Sequence, residues 1–271
     1  MTMSPFASPA PWDAVAEGYA DEAAWLMDLF SARAVTLMPL GAGSKVVDVA
    51  CGPGTTTLQI APRVASVDAL DFSPSMIARL HEELAERGIA NVKAIEGDGQ
   101  ALPYPDASFD AAVSMFGLMF FPDRPRGFRE LLRVLRPGGT AVVSSWASTI
   151  HSPLMQAMFG ALRAADPTMP EPKPNLESLE SAEVFEREMR EAGFADVKIQ
   201  LHEEAVAIEG IDVFWDRMVR ASAPLVMMRK RLGEETWEAR AKVARAWLVE
   251  KIGTAPTTLA TTALLGVGTR P

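Results

Sequence analysis

One stretch, KVVDVACGPGTTTLQI at residues 45–60, narrows the possible folds more than any other part of the chain. Val46, Val47 and Val49 make a short β-branched apolar run, the mark of a buried strand. Gly52-Pro53-Gly54 then imposes a tight turn, and Thr55, Thr56 and Thr57 each offer a cap for a following helix. A strand, a glycine turn and a helix start together let a small polar ligand approach bare backbone closely. Taken alone, the stretch is equally compatible with a structural loop. The order of elements around it decides between the two.

After this turn and its helix, residues 66–71 (SVDALD) read as a second strand ending in an acid. Ser73-Pro74-Ser75 opens a helix with Met76, Ile77, Leu80 and Leu84 on one face, stopping near Gly88. Residues 91–96 are a third strand running into Gly97-Asp98-Gly99, and residues 108–115 a fourth. A helix over 124–135, closed by Arg136-Pro137-Gly138-Gly139, precedes a fifth strand at 140–146. Strand and helix alternating in this way imply a parallel sheet with helices on both faces. In such a sheet the ligand lies beyond the C-terminal strand ends, near the switch point. The glycine turn, Asp71 and Asp98 all fall at those ends.

The flanks are less regular. Residues 1–12, rich in proline and small side chains, read as a loose arm. Residues 12–38 carry helical spacing and form either a helical pair packed on the core or, through Trp12 and Tyr19, a cover for a ligand pocket. Downstream, a helix is expected over 150–165, a proline-rich connector over 167–174, a helix over 181–192 and a strand over 196–208. Residues 211–253 read as wholly helical, followed by a strand over 257–267. That helical excursion suits a lid over the functional edge and, equally, a plain extension of the core.

Composition removes several functional classes. The formal net charge is −9 with no long basic run, which disfavours nucleic acid or an anionic membrane as partner. A single cysteine, Cys51, rules out an internal disulfide or cysteine-cluster metal site and suits a reducing compartment. The first residues lack a basic segment followed by an apolar core, and there is no apolar run of about 18 residues. A cytoplasmic protein is expected, with no metal; the oligomeric state is left open.

VVDVACGPG at 46–54 resembles motif I of the class I S-adenosylmethionine-dependent methyltransferases, in their small-molecule branch. Further segments follow in the family's order: ALDFSPSMI at 69–77, EGDGQALPYPDASFD at 96–110, SMFGLMFFPD at 114–123 and ELLRVLRPGGTAVVSSW at 130–146. The resemblance implies a Rossmann-like, mostly parallel seven-stranded sheet with helices on both faces, N-terminal helices and a helical insertion before the last strand. It implies one methyltransferase domain over 1–271: an N-terminal cover (1–40), a cofactor-binding core (41–147) and a substrate-side half (148–271) with its lid at about 211–253. The implied cofactor is S-adenosylmethionine.

Carried over residue by residue, Asp48 and the backbone of Ala50, Gly52 and Gly54 meet the methionine moiety, a carboxylate near an ammonium. Asp71 takes both ribose hydroxyls, and Phe72 and Met76 pack on the adenine. Asp98 accepts from the adenine amino group beside Gly99 and Gln100, Met115 and Phe116 meet the cofactor from the fourth strand, and Tyr19 closes over it. Ala50 stands where the family usually has its first glycine, so a slightly tighter turn is expected. Cys51 is read as packing beside the turn.

Methyl transfer is an in-line displacement that needs alignment and exclusion of water. A general base enters only if the acceptor is protonated. Of the three histidines, His81 falls on an exposed helix face and His202 lies in a strand without an obvious partner. His151, beyond the fifth strand, is the candidate base, with capping or plain surface exposure as its other reading. Phe120, Phe121, Trp146, Met155, Trp215 and Met218 are candidate walls of an acceptor pocket or members of the core; as walls they suit a hydrophobic, flat acceptor. Two other classes stay open: an NAD(P)-dependent oxidoreductase, which the missing third glycine of G-x-G-x-x-G opposes, and a non-catalytic cofactor-binding module.

Overall fold

A computed structural model describes residues 5–16, 18, 24–173 and 175–271. Seven strands form one sheet: β1 (Lys45–Val49), β2 (Ser66–Asp71), β3 (Val92–Glu96), β4 (Phe109–Ser114), β5 (Leu135–Trp146), β6 (Ala195–Ile208) and β7 (Thr257–Thr269). Their order is β3-β2-β1-β4-β5-β7-β6, with only β7 running against its neighbours. The seven-stranded, mostly parallel expectation is therefore met. Strand order reverses between β1 and β4, so the crevice for a ligand opens above their C-terminal ends.

Helices cover both faces. α1 (Ala10–Asp13) and α2 (Ala24–Thr36) precede the sheet. α3 (Thr55–Ile60), α4 (Pro74–Glu86) and α5 (Arg124–Val134) connect the first five strands. α6 (Pro153–Ala165) and α7 (Ala182–Ala192) lead to β6. On one face Phe128 and Leu131 of α5 bury with Phe185 and Met189 of α7 against Val47, Val143 and Leu264 of the sheet. On the other, Phe30 of α2 and Leu154 and Ala161 of α6 belong to a second cluster that reaches Phe116 and Ala263.

Local rules account for the element ends. Ser73, Asp123, Ser152 and Ser181 each cap a helix by accepting a backbone amide through the side chain. β5 starts earlier than its sequence suggested: the Arg-Pro-Gly-Gly stretch expected to lie outside it is drawn in at a register shift opposite β4. Residues 211–253 divide into α8 (Ile211–Ala221), α9 (Ala223–Leu232) and α10 (Glu234–Ile252), broken at Ser222 and Gly233.

The β6–β7 hairpin continues past β5. Trp146 at the end of β5 pairs with Ala263, whereas β6 follows β7 on to Thr257. The insertion α8–α10 is thereby lifted above the functional edge of the sheet. There Trp215, Trp237, Ala241 and Leu248 bury with α6 residues in the second cluster, and Arg240 pairs with Asp166. The insertion thus shares a core with α6 beside the C-terminal edge of the sheet. Among the described residues no helix is long and apolar enough to cross a membrane.

Candidate functional site

The three strand-end features meet at one cavity of about 290 Å³. β1 supplies Ala50 and Gly52 from its turn, β2 supplies Leu70, Asp71 and Phe72, and α4 adds Met76. The segment after β3 gives Gly97, Asp98, Gly99 and Gln100, and the segment after β4 gives Met115, Phe116, Gly117, Phe120, Phe121 and Pro122. Phe6, Ala7 and Trp12 form the remaining wall. A smaller hollow of about 40 Å³ adjoins it, lined by Asp48, Ser31, Thr55 and Thr56 and sharing Ala50, Gly52, Met115 and Phe116 with the larger one.

The turn owes its shape to left-handed backbone. Gly52 and Gly54 have φ of 56° and 94°, and Ala50 takes φ 58° although it is not glycine. An L-residue there is strained by roughly 1–2 kcal/mol. Ala50 keeps the conformation because its partner yields: a Cβ on Gly117 would lie 2.3 Å from the Ala50 Cβ. The alanine thus leaves the turn intact and places its demand on Gly117. Gly54 lines neither hollow. It caps α3, and a Cβ on it would stand 2.3 Å from Leu80 Cδ1, so its role here is close packing of the turn on α4.

Two acids are buried beside the turn. Asp71 Oδ2 accepts from the Gly52 amide at 2.9 Å and Oδ1 from the Ser73 amide at 2.9 Å. Burial pushes its carboxyl up to about 6, opposed by the amides of Ser73, Gly52 and Phe72, with the charge of Asp13 adding to the rise. Asp48 Oδ2 accepts from Thr57 Oγ1 at 2.6 Å, whereas Oδ1 is buried without a partner among the described residues. Burial pushes Asp48 up to about 7; the Thr57 hydroxyl counters this and the nearby Asp71 reinforces it. Burying a carboxylate without a cation is costly, and an orphaned oxygen beside a hollow is where a cationic donor fits.

Asp98 is more open. Its Oδ1 accepts from the Gln100 amide at 2.8 Å and from Gln100 Nε2 at 3.1 Å. Gln100 Oε1 in turn accepts from the Asp123 amide at 2.9 Å. Gly99 makes the floor, and a Cβ there would meet Phe121 Cζ at 2.5 Å and Val49 Cγ1 at 2.7 Å. Cys51 is buried and its thiol is pushed well above the usual range by burial, as suits packing.

Several expected site residues lie elsewhere. His151 is exposed in a short helical turn outside the cavity lining, and its hydrogen bonds are through the backbone: its amide donates to the Ser148 carbonyl at 2.9 Å and its carbonyl accepts from Thr262 Oγ1 at 3.1 Å. Nothing in this placement supports a base. Trp146 stacks on Phe116 at 4.2 Å between ring centroids and, like Met155 and Met218, packs against the second cluster. Trp215 is buried in that cluster and stacks on Trp237. None of these four lines the cavity between Asp71 and Asp98: Trp215 is buried in the second cluster and the other three are half-buried against it. Phe120 and Phe121 do line the cavity, in company with the acids at its floor. Tyr19 lies outside the described residues.

Sequence reasoning missed Phe6, whose chain neighbours read as a loose arm, and Ser31, which shares a 2.8 Å hydrogen bond with Thr56 in the smaller hollow. It also left His202 unpartnered. Glu204 stands 2.7 Å from its Nε2, and two residues of spacing on a strand put both on one face, a signal present in the sequence.

Residues 46–139 match the family described as "Methyltransferase domain". The 2-methyl-6-phytyl-1,4-hydroquinone methyltransferase 1 of Oryza sativa is 39% identical over 160 residues, 58% of this chain and 43% of that one. The demethylmenaquinone methyltransferase of Listeria monocytogenes is 39% identical over 106 residues, 38% of this chain and 45% of that one. The chain thus matches less than half the length of these curated relatives. In fold it is similar to the YcgJ protein of Bacillus subtilis, with a TM-score of 0.58, 19% identity and coverage of 89% of this chain and 97% of that one.

Proposed function

We propose that this chain, whose residues 46–139 match a methyltransferase-domain family, is a class I S-adenosylmethionine-dependent enzyme that moves a methyl group from S-adenosylmethionine to a small, uncharged, hydrophobic or aromatic acceptor. The observation that carries the reading is the convergence of Asp71, Asp98, Gly52 and Gly99 on one cavity, with the unpartnered Asp48 oxygen beside the adjoining hollow.

The residues present fit this cofactor. Asp71 would hold the ribose hydroxyls, since each of its oxygens keeps a lone pair beyond the amide it accepts. Asp98 and the backbone at Gly99 and Gln100 would hold the adenine edge, with Phe72 and Met76 against its faces. Asp48 would meet the ammonium of the methionine end, a charge-assisted bond that offsets the cost of its burial. When bound, the cofactor supplies a methyl group made electrophilic by a sulfonium. The chain's own contribution is alignment, through Met115 and Phe116, and exclusion of water by the aromatic wall.

Charge separates this reading from a dinucleotide. Two buried acids flank the glycine turn and, among the described residues, no Lys or Arg lines the cavity. Such a site favours a ligand with positive groups and opposes a pyrophosphate. The same lining offers no counter-charge to an anionic acceptor, and its aromatic wall suits a hydrophobic one. Both relatives named above are, by name, methyltransferases of hydroquinone or menaquinone precursors, which agrees with a flat ring as acceptor.

The test is incubation with methyl-labelled S-adenosylmethionine and a panel of hydroquinones, phenols and small acids, with products identified by mass spectrometry. Label in a neutral aromatic product is the expected result. Label only in anionic products would overturn the acceptor assignment, and no label with any acceptor would count against turnover.

A further inference from the structure

A run of hydrogen bonds ties the N-terminal segment to the acid at the cavity floor. Asp13, at the end of α1, accepts through Oδ1 from the Ser73 hydroxyl at 2.5 Å and from the Ser75 amide at 3.3 Å. The same hydroxyl oxygen accepts from the Met76 amide at 3.2 Å, capping α4. The Ser73 amide donates to Asp71 Oδ1 at 2.9 Å. Ser73, fully buried, therefore donates to two acids at once and stands between them. Asp13 also sits at the N-terminal end of a 13-residue helix, where a negative charge is favoured.

Three rings cluster beside this tie. The centroids of Phe6 and Trp12 are 6.1 Å apart, those of Phe6 and Phe120 5.8 Å, and those of Trp12 and Phe120 5.1 Å. The Trp12 indole donates to the Phe6 carbonyl at 3.0 Å. All three rings line the cavity. Immediately after Asp13, Val15 and Ala16 bury with Met76 of α4 and Ala223 of α9. The segment is wedged between the cofactor-side sheet and the insertion, and among the described residues the insertion supplies none of the cavity lining. The insertion bears on the cavity through this segment.

We propose that Asp13 is a positioning residue: by holding the Ser73 hydroxyl it seats residues 5–16 as one wall of the cavity, so that release of the bound cofactor requires this tie to open. The inference rests on reading the cavity as the cofactor's. It gives Ser73 a double task, orienting Asp71 through its amide and fastening the wall through its hydroxyl. A ligand that engages Asp71 is then sensed by the wall through one residue.

The test compares wild type with Asp13→Ala, Asp13→Asn and Asp13→Glu in the full chain. Amide hydrogen exchange on the free protein reads the wall, and the dissociation rate of S-adenosylhomocysteine reads the consequence. Asp13→Ala should exchange faster across residues 5–16 and 73–76 and release the ligand on the order of tenfold faster, the size expected for one charged hydrogen bond. Asp13→Asn, whose amide oxygen still accepts from Ser73 but without the charge, should fall between the two, releasing the ligand a few-fold faster than wild type and clearly slower than Asp13→Ala. If the alanine variant does not fold, Asp13→Glu, whose carboxylate sits one methylene farther out, should show the same loosening to a smaller degree.

Wild-type exchange and release in Asp13→Ala would overturn the proposal. So would an asparagine variant as loose as the alanine one, because charge and not the tie to Ser73 would then be acting. Failure of wild type to bind S-adenosylhomocysteine at all would sink the cofactor reading by itself, while the exchange comparison on free protein would still decide the tie.

Discussion

Replacing Asp48 by asparagine tests whether a buried charge is kept at the cost of stability. Asp48 is 1% exposed, one of its oxygens has no partner, and its carboxyl is pushed from 3.8 up to about 7. A group whose folded value lies above its unfolded one stabilises the fold at low pH, and that stabilisation is lost as pH rises through the folded value. Each tenfold change in a protonation equilibrium is worth about 1.4 kcal/mol. Wild type should therefore lose about 2–3 kcal/mol from this group between about pH 5 and about pH 8. Asparagine is neutral throughout and keeps an oxygen for the Thr57 hydroxyl. Urea unfolding of both proteins at the two pH values gives the difference directly. Asp48→Asn should gain on wild type by about 2–3 kcal/mol on going from the acidic to the alkaline buffer, or roughly 5–10 °C in Tm. Its affinity for S-adenosylhomocysteine should fall at the same time, a stability gain bought with function. A difference that does not change with pH would refute the argument that Asp48 is a strained carboxylate awaiting a cation.

The remaining predictions are simpler. Asp71→Asn should weaken S-adenosylhomocysteine binding by about 1.5–3 kcal/mol by titration calorimetry, the value of hydrogen bonds to a charged acceptor. In wild type the affinity should fall as pH drops below about 6, where Asp71 takes up a proton; an affinity flat from neutral to acidic pH would contradict the ribose assignment. Ala50→Gly removes the left-handed strain at φ 58° and should raise stability by up to about 1 kcal/mol in thermal unfolding, with glycine's extra chain entropy setting the limit. Gly99→Ala would set a Cβ 2.5 Å from Phe121 Cζ; it should cost about 1–3 kcal/mol in unfolding experiments and weaken ligand binding, since the floor must move. His151→Ala touches an exposed ring and should leave both unfolding and ligand affinity within about 0.5 kcal/mol of wild type.

What the chain disclosed by sequence follows from how locally each feature is determined. The turn at 50–54, the alternation of strands and helices, and the acids at 71 and 98 are legible because a parallel sheet brings every C-terminal strand end to one edge. The wall made by Phe6 and Trp12 was less legible, since it depends on Asp13 reaching Ser73 some sixty residues away. Trp146, Met155, Trp215 and Met218 read equally as walls or as core because aromatic and methionine residues line pockets and cores alike; the packing gathers them on the cluster shared by α6 and the insertion, outside the cavity between Asp71 and Asp98. His151 drew attention by its place after β5, but nearness in sequence to a strand end does not aim a ring into the crevice. Gly117 shows the reverse case. An alanine in the place of the turn's first glycine already implied that some opposing residue must give way, yet only the packing names which.

The most direct test of the central claim is a calorimetric titration of the full chain with S-adenosylhomocysteine and, separately, with NAD, at about pH 8, where both buried acids are ionised. The account predicts saturable binding of S-adenosylhomocysteine, weakened in Asp71→Asn, and none of NAD. Binding of NAD with no response to S-adenosylhomocysteine would contradict it.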